Sequence, residues 1–172
     1  LVACLLSFYQ QLKIFNENER LFAPFNLEEP LWIFVGSKVT AVRKENKVDV
    51  SDVVDILLFV KRFLREKEET TEFIERLLTG DSQLNDTYGN DLFAGRFGYL
   101  ISKGFNAEDI IEDIRIRIFN CSISDAELHL DNLKGVQGEI GLRLGDNDYF
   151  GVINVGDDSS LLKLCEANKF TV

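Results

Sequence analysis

The run Leu31-Trp32-Ile33-Phe34-Val35, preceded by Pro30 and followed at once by Gly36-Ser37, decides how the rest of the chain is read. Every position is large and apolar, with β-branched and aromatic types and no alternation, which predicts a strand buried on both faces. Strands of that kind lie inside parallel sheets. A Gly-Ser pair at the carboxyl end of such a strand exposes backbone N–H groups and a hydroxyl where α/β folds place ligands, and Lys38 adds a cation. Gly36, Ser37 and Lys38 are therefore the candidate ligand contacts, against the plain alternative that they form a turn. Exposure of the run, or pairing with antiparallel neighbours alone, would remove the argument for a parallel sheet.

Upstream, Leu5, Phe8, Leu12 and Phe15 recur at helical spacing and predict a helix from Leu1 to about Arg20, ending before Pro24. Residues 21–30 read as an extended connector whose Leu21, Phe22, Phe25 and Leu27 need a partner surface. Downstream, residues 39–50 read as a loop carrying the basic Arg43, Lys44 and Lys47. Ser51-Asp52 then caps a helix with an apolar face of Val53, Ile56, Leu57, Val60, Phe63 and Leu64. Strand, loop and amphipathic helix in that order make half of a βαβ unit.

Further helices are predicted at about 71–79, stopped by Gly80, at 91–103 after an Asn90 cap, and at 107–119 after an Asn106 cap, where the β-branched Ile110, Ile111, Ile114, Ile116 and Ile118 leave the last part open to an extended reading. Beyond Asn120 the pattern changes. Residues 127–133, 139–144 and 149–155 alternate and are separated by Lys134-Gly135 and Gly145-Asp146-Asn147, which predicts an antiparallel meander. A last helix is expected at about 159–168 after Asp157-Asp158.

The chain has 172 residues, 45% hydrophobic and 28% charged, a composition that fits a globular domain able to bury one core. With 19 Lys and Arg against 29 Asp and Glu the net charge is −10, so any contact with nucleic acid has to be local or depend on other parts of a larger protein. Cys4, Cys121 and Cys165 are odd in number and widely spaced, which argues for reduced thiols in a cytoplasmic protein and against a disulfide framework or zinc site. His129 falls in the alternating pattern of a strand, as an exposed polar position. No apolar run approaches membrane-spanning length. The absence of Met, even at position 1, points to a piece cut from a longer protein.

No G-x-x-x-x-G-K-[ST] run occurs, so these residues supply no loop to cradle the phosphates of ATP. A metal-dependent nuclease centre has one conceivable donor set, Asp131, Glu139 and Lys134, with Arg143 downstream of Glu139 where a lysine is wanted. Asp146, Asp148, Asp157 and Asp158 flank the last strand of the meander, where turn and capping roles account for them.

Glu29-Pro30-Leu31-Trp32-Ile33-Phe34-Val35-Gly36-Ser37 and Ser51-Asp52-Val53-Val54-Asp55-Ile56-Leu57 carry a resemblance, together with Leu133-Lys134-Gly135, Glu139-Ile140, Leu142–Asn147 and Phe150–Asp157. Taken together these runs resemble the middle of large bacterial DEAD/DEAH-box helicase family proteins, type III restriction enzyme Res-like subunits in particular. The resemblance implies an α/β fold, a partial RecA-like second helicase lobe with an inserted α+β region of helices and a short antiparallel meander. Residues 1–30 would be a helix and connector from the preceding lobe, 31–80 the start of the second lobe, 81–156 a family-specific insertion, and 157–172 the return into the lobe.

It further implies that Leu31–Ser37 matches helicase motif IV, in which Gly36 and Ser37 contact a nucleic-acid phosphate; Lys38 joins them on physical grounds. The parent would be a hydrolase that binds ATP and Mg elsewhere, with no cofactor held by this segment. DNA, the remaining helicase lobes in cis and a modification subunit would be its partners, and no membrane would be involved. The competing expectation is an acidic protein-interaction or DNA-mimic module without catalytic activity, with Phe22, Phe25 and Leu27 as its docking residues.

Overall fold

The structure, a computed structural model, describes residues 1–35, 43–45, 48–123, 126–135, 137–156 and 158–172. Two compact units divide the chain: Leu1–Phe34 with Glu66–Ile114, and Val35–Arg65 with Arg115–Val172. The fold is mixed α/β, with helices, one short hairpin and an antiparallel three-stranded sheet.

The first unit is helical. Helix α1 (Val2–Glu17) buries Leu5, Leu6, Tyr9 and Leu12, and a short α2 (Glu19–Phe22) leads into a 3-10 turn over Ala23–Phe25. The amphipathic pattern thus locates the helix correctly, but Phe8 and Phe15 lie on the flank of the buried stripe. Phe15 stacks on Phe22 at 5.6 Å and closes the connector back onto α1. Helix α4 (Lys67–Thr79) begins four residues ahead of the expected Thr71, and Gly80 ends it at φ 75°, a left-handed position that costs glycine little.

The 91–103 expectation needs correction. Only Gly98–Ser102 is helical (α5), because the Asp91 carboxylate accepts N–H bonds from Ser82 and Phe93, and Leu92 N–H donates to the Leu84 carbonyl. These local bonds offer the backbone an alternative to the helix, and Gly95 at φ 72° fixes it. Asn106 does cap α6 (Ala107–Arg117): its Oδ1 accepts the Asp109 N–H at 2.8 Å. Ile74, Leu77, Phe97, Leu100, Ile110, Ile111 and Ile114 complete this core. Each such side chain, fully buried, contributes about 1.5–3 kcal/mol. Tyr9 meets its polar need inside it, donating to Asp113 Oδ2 at 2.8 Å.

In the second unit, β1 (Arg43–Glu45) pairs antiparallel with β2 (Val48–Val50), a hairpin where the sequence reads as loop. Helix α3 (Asp52–Arg65) follows, with Ser51 Oγ accepting the Val54 N–H at 3.5 Å, close to the expected cap. An antiparallel hairpin therefore precedes α3, which corrects the expectation of half a βαβ unit.

Strands β3 (Leu128–Asn132), β4 (Glu139–Leu144) and β5 (Gly151–Asn154) form the predicted meander in the order β3-β4-β5. One face is dry: Leu128, Leu130, Ile140, Leu142 and Leu144 are buried, as are Val54, Leu57, Val60 and Phe63 of α3. Phe119 contacts Phe63 at 5.8 Å and meets Phe150 edge-on at 5.1 Å. Helix α7 (Asp158–Ala167) adds Leu161 and Cys165, and beyond it Thr171 lies parallel to His129, its carbonyl accepting the Leu130 N–H at 3.0 Å.

The expectation for Leu31–Val35 is overturned. The run forms no strand, and Leu31, Ile33 and Val35 are 79%, 67% and 92% exposed. Trp32, by contrast, stacks on Phe8 at 5.7 Å and meets the Phe34 ring tilted at 4.4 Å. A strand buried on both faces needs a sheet on each edge, and among the described residues no strand pairs with this one. The pairings between the described strands are antiparallel, with one isolated parallel bridge between His129 and Thr171, so the described residues show no parallel sheet.

Candidate functional site

Gly36, Ser37 and Lys38, the contacts expected from the sequence, lie outside the described residues, as does Lys47 of the basic loop. Arg43 and Lys44 fall on β1. Leu31–Val35, which precede Gly36 in sequence, form no strand, and Leu31, Ile33, Phe34 and Val35 are exposed.

The donor set considered for a metal nuclease does not assemble. Asp131 faces Gly141 across the β3–β4 ladder, and Arg143 Nε donates to Asp131 Oδ2 at 2.5 Å. The same guanidinium donates through Nη1 to the Gly145 carbonyl and reaches Asp146 at 3.5 Å. Asp131 holds the Arg143 guanidinium even more firmly in its charged form. The Tyr149 hydroxyl adds a longer bond to Asp131 at 3.4 Å, its ring lying over Gly141.

Glu139 is two residues along β4 and takes a bond from Asn154 Nδ2 at 3.2 Å, while Lys134 sits in the exposed turn. The outer face of the meander is thus a satisfied polar network, and a carboxylate already committed to a guanidinium is a poor metal ligand. No group of three His, Cys, Asp or Glu among the described residues is arranged to hold a metal ion.

The cysteines are separate thiols, Cys4 exposed and Cys121 and Cys165 buried. Burial alone pushes the Cys165 thiol up to about 12, far from a reactive thiolate. His129 is half-buried on β3, paired with Arg143 on one side and Thr171 on the other.

A feature that sequence reading missed lies in the second unit: a recess lined by Lys61, Leu64 and Arg65 of α3, Ala126–Leu128 leading into β3, and Lys169–Thr171 after α7. Lys61 Nζ donates to the Lys169 carbonyl at 3.1 Å and sits 5.0 Å from the centre of the Phe170 ring. The four-residue spacing of Lys61 and Arg65 on one helix face was readable in the sequence. Lys169, more than a hundred residues away, was not. Among the described residues, no helix is long and apolar enough to cross a membrane. In comparisons with known proteins, no family model, curated protein or solved structure matches the chain.

Proposed function

We propose that this chain is a non-catalytic internal segment of an ATP-dependent superfamily 2 DNA helicase or translocase, of the kind that forms the Res subunit of a restriction system. The observation that carries the reading is the set of sequence runs from Glu29–Ser37 through Phe150–Asp157 that resemble that family. The inference from a buried opening strand to a motor lobe falls with the exposure of Leu31–Val35, and the reading rests on the sequence runs alone. In this reading the segment belongs to a RecA-like second lobe, and Gly36, Ser37 and Lys38 touch a DNA phosphate. Nucleotide chemistry is not assigned to these residues, because the chain has no phosphate-cradling glycine loop.

The purified chain is expected to show no ATP binding or hydrolysis. It should bind DNA weakly, with affinity falling steeply as salt rises. Ser37→Ala and Lys38→Glu should each weaken that binding further. Tight ATP binding by the chain, or DNA binding indifferent to both substitutions, overturns the reading.

A second reading, an acidic module that docks on a basic protein, is favoured by one observation: of its expected docking residues Phe25 and Leu27 are 74% and 54% exposed, while Phe22 is stacked on Phe15. Capture of a basic partner that survives Ser37→Ala and Lys38→Glu but is lost on Phe25→Ser with Leu27→Ser would select it. Partner binding that ignores the apolar pair rules it out.

A further inference from the structure

The chain carries ten more acids than bases, yet three basic residues line the recess of the second unit. Among the described residues, no carboxylate stands within ion-pair distance of Lys61, Arg65 or Lys169. Among the described residues that line the recess, Glu127 is the one acid against three bases. The Lys61 ammonium is pushed down from its ordinary range, first by burial and next by the like charge of Arg65, with Glu127 opposing and Lys169 adding.

The carbonyl end of α3 accounts for Arg65, since positive charge is favoured in a last turn, but not for the presence of Lys61 and Lys169 at the same recess. There, the Lys61 head is held in place by the Lys169 carbonyl and the Phe170 ring, with two of its three N–H groups left for another acceptor. Arg65, one turn along, offers the planar fork that matches an oxyanion. Leu64, Leu128 and Phe170 make part of the lining apolar, which strengthens charge interactions beside it. Room below the rim is about that of one water molecule, so an oxyanion would sit at the mouth.

We propose that Lys61, Arg65 and Lys169 form a phosphate-binding site at this recess. The site does not depend on the helicase reading; under that reading it is a second phosphate contact, separate from Gly36–Lys38.

The test is an amide NMR titration of the whole chain with inorganic phosphate and, separately, with a 12-nucleotide single-stranded DNA. Saturable shifts at Glu127, Leu128 and Lys169–Thr171 are expected. The triple variant Lys61→Gln, Arg65→Gln, Lys169→Gln should abolish them, weaken oligonucleotide binding about tenfold and reduce the salt slope by about 2.

Glu127→Gln, an exposed change that leaves the cations and the fold in place, should tighten binding about threefold by the removal of one repelling charge. Shifts with phosphate alone identify a small phosphate as the ligand, and shifts with the oligonucleotide identify a strand. No recess-centred shift with either probe, or an affinity unmoved by Glu127→Gln, overturns the site. If Ser37→Ala and Lys38→Glu leave DNA binding intact while the triple variant loses it, the helicase contact fails and the recess stands.

Discussion

Arg143 on β4 grips Asp131 on β3 from the solvent side of the meander, and the same guanidinium closes the following turn on the Gly145 carbonyl. The Asp131 carboxylate, which the sequence offers as a metal ligand, is thereby part of a clamp on a hairpin. Asp131→Asn should lower thermal stability only slightly, because side-chain exposures of 23% and 32% leave the pair open to water. Adding Mg2+ or Mn2+ should leave the melting temperature unchanged, and a metal-dependent rise abolished by Asp131→Asn would revive the nuclease centre.

Two glycines of the same sheet should differ in their tolerance. Gly138 has φ 83°, and a Cβ there runs into the Val155 carbonyl oxygen, which belongs to backbone and cannot step aside. A Cβ on Gly141 would meet the Tyr149 ring at 2.6 Å and Leu133 at 2.9 Å, both side chains able to give. Gly138→Ala should cost more than about 2 kcal/mol and Gly141→Ala about 1–2 kcal/mol in urea unfolding.

Tyr9→Phe removes only the hydroxyl that donates to Asp113, and Lys13 at 3.4 Å remains beside that carboxylate. The expected loss is about 1 kcal/mol, read by denaturant titration. Leu77→Ala, in the same core and 1% exposed, should cost about 2–5 kcal/mol.

Leu31→Ser and Ile33→Ser should each change stability by no more than about 0.5 kcal/mol and reduce self-association at high protein concentration. A cost of about 2 kcal/mol or more for either would mean that the run is buried after all.

The Cys165 thiol should stay unmodified by a thiol reagent at pH 8 while Cys4 reacts. Its folded pKa is raised from 9.0 to about 12, so the unfolded chain ionises first as pH climbs. The contribution to stability is whole below about pH 9 and is lost progressively between pH 9 and 12. Alkaline unfolding curves of Cys165→Ala should lack that component.

Local signals in the sequence held wherever neighbouring residues were enough to meet the backbone's needs. The Ser51 and Asn106 caps, the Gly80 stop and the turns between β3, β4 and β5 all satisfy hydrogen bonds within a few residues of themselves. The 91–103 helix failed because Asp91 and Leu92 found partners at Ser82 and Leu84, a pairing no periodicity count includes.

By itself the sequence determined the acidic balance of charge, the helical stripes and the antiparallel meander, because alternation and turn chemistry act over short distances. Whether Leu31–Val35 would be covered was decided only in three dimensions: apolar residues favour burial, but burial on both faces needs neighbours that distant parts of a chain must bring. Tertiary structure likewise set Arg143 on Asp131 and drew Lys169 to Lys61, since a charge finds its partner by position in space and not by distance along the chain.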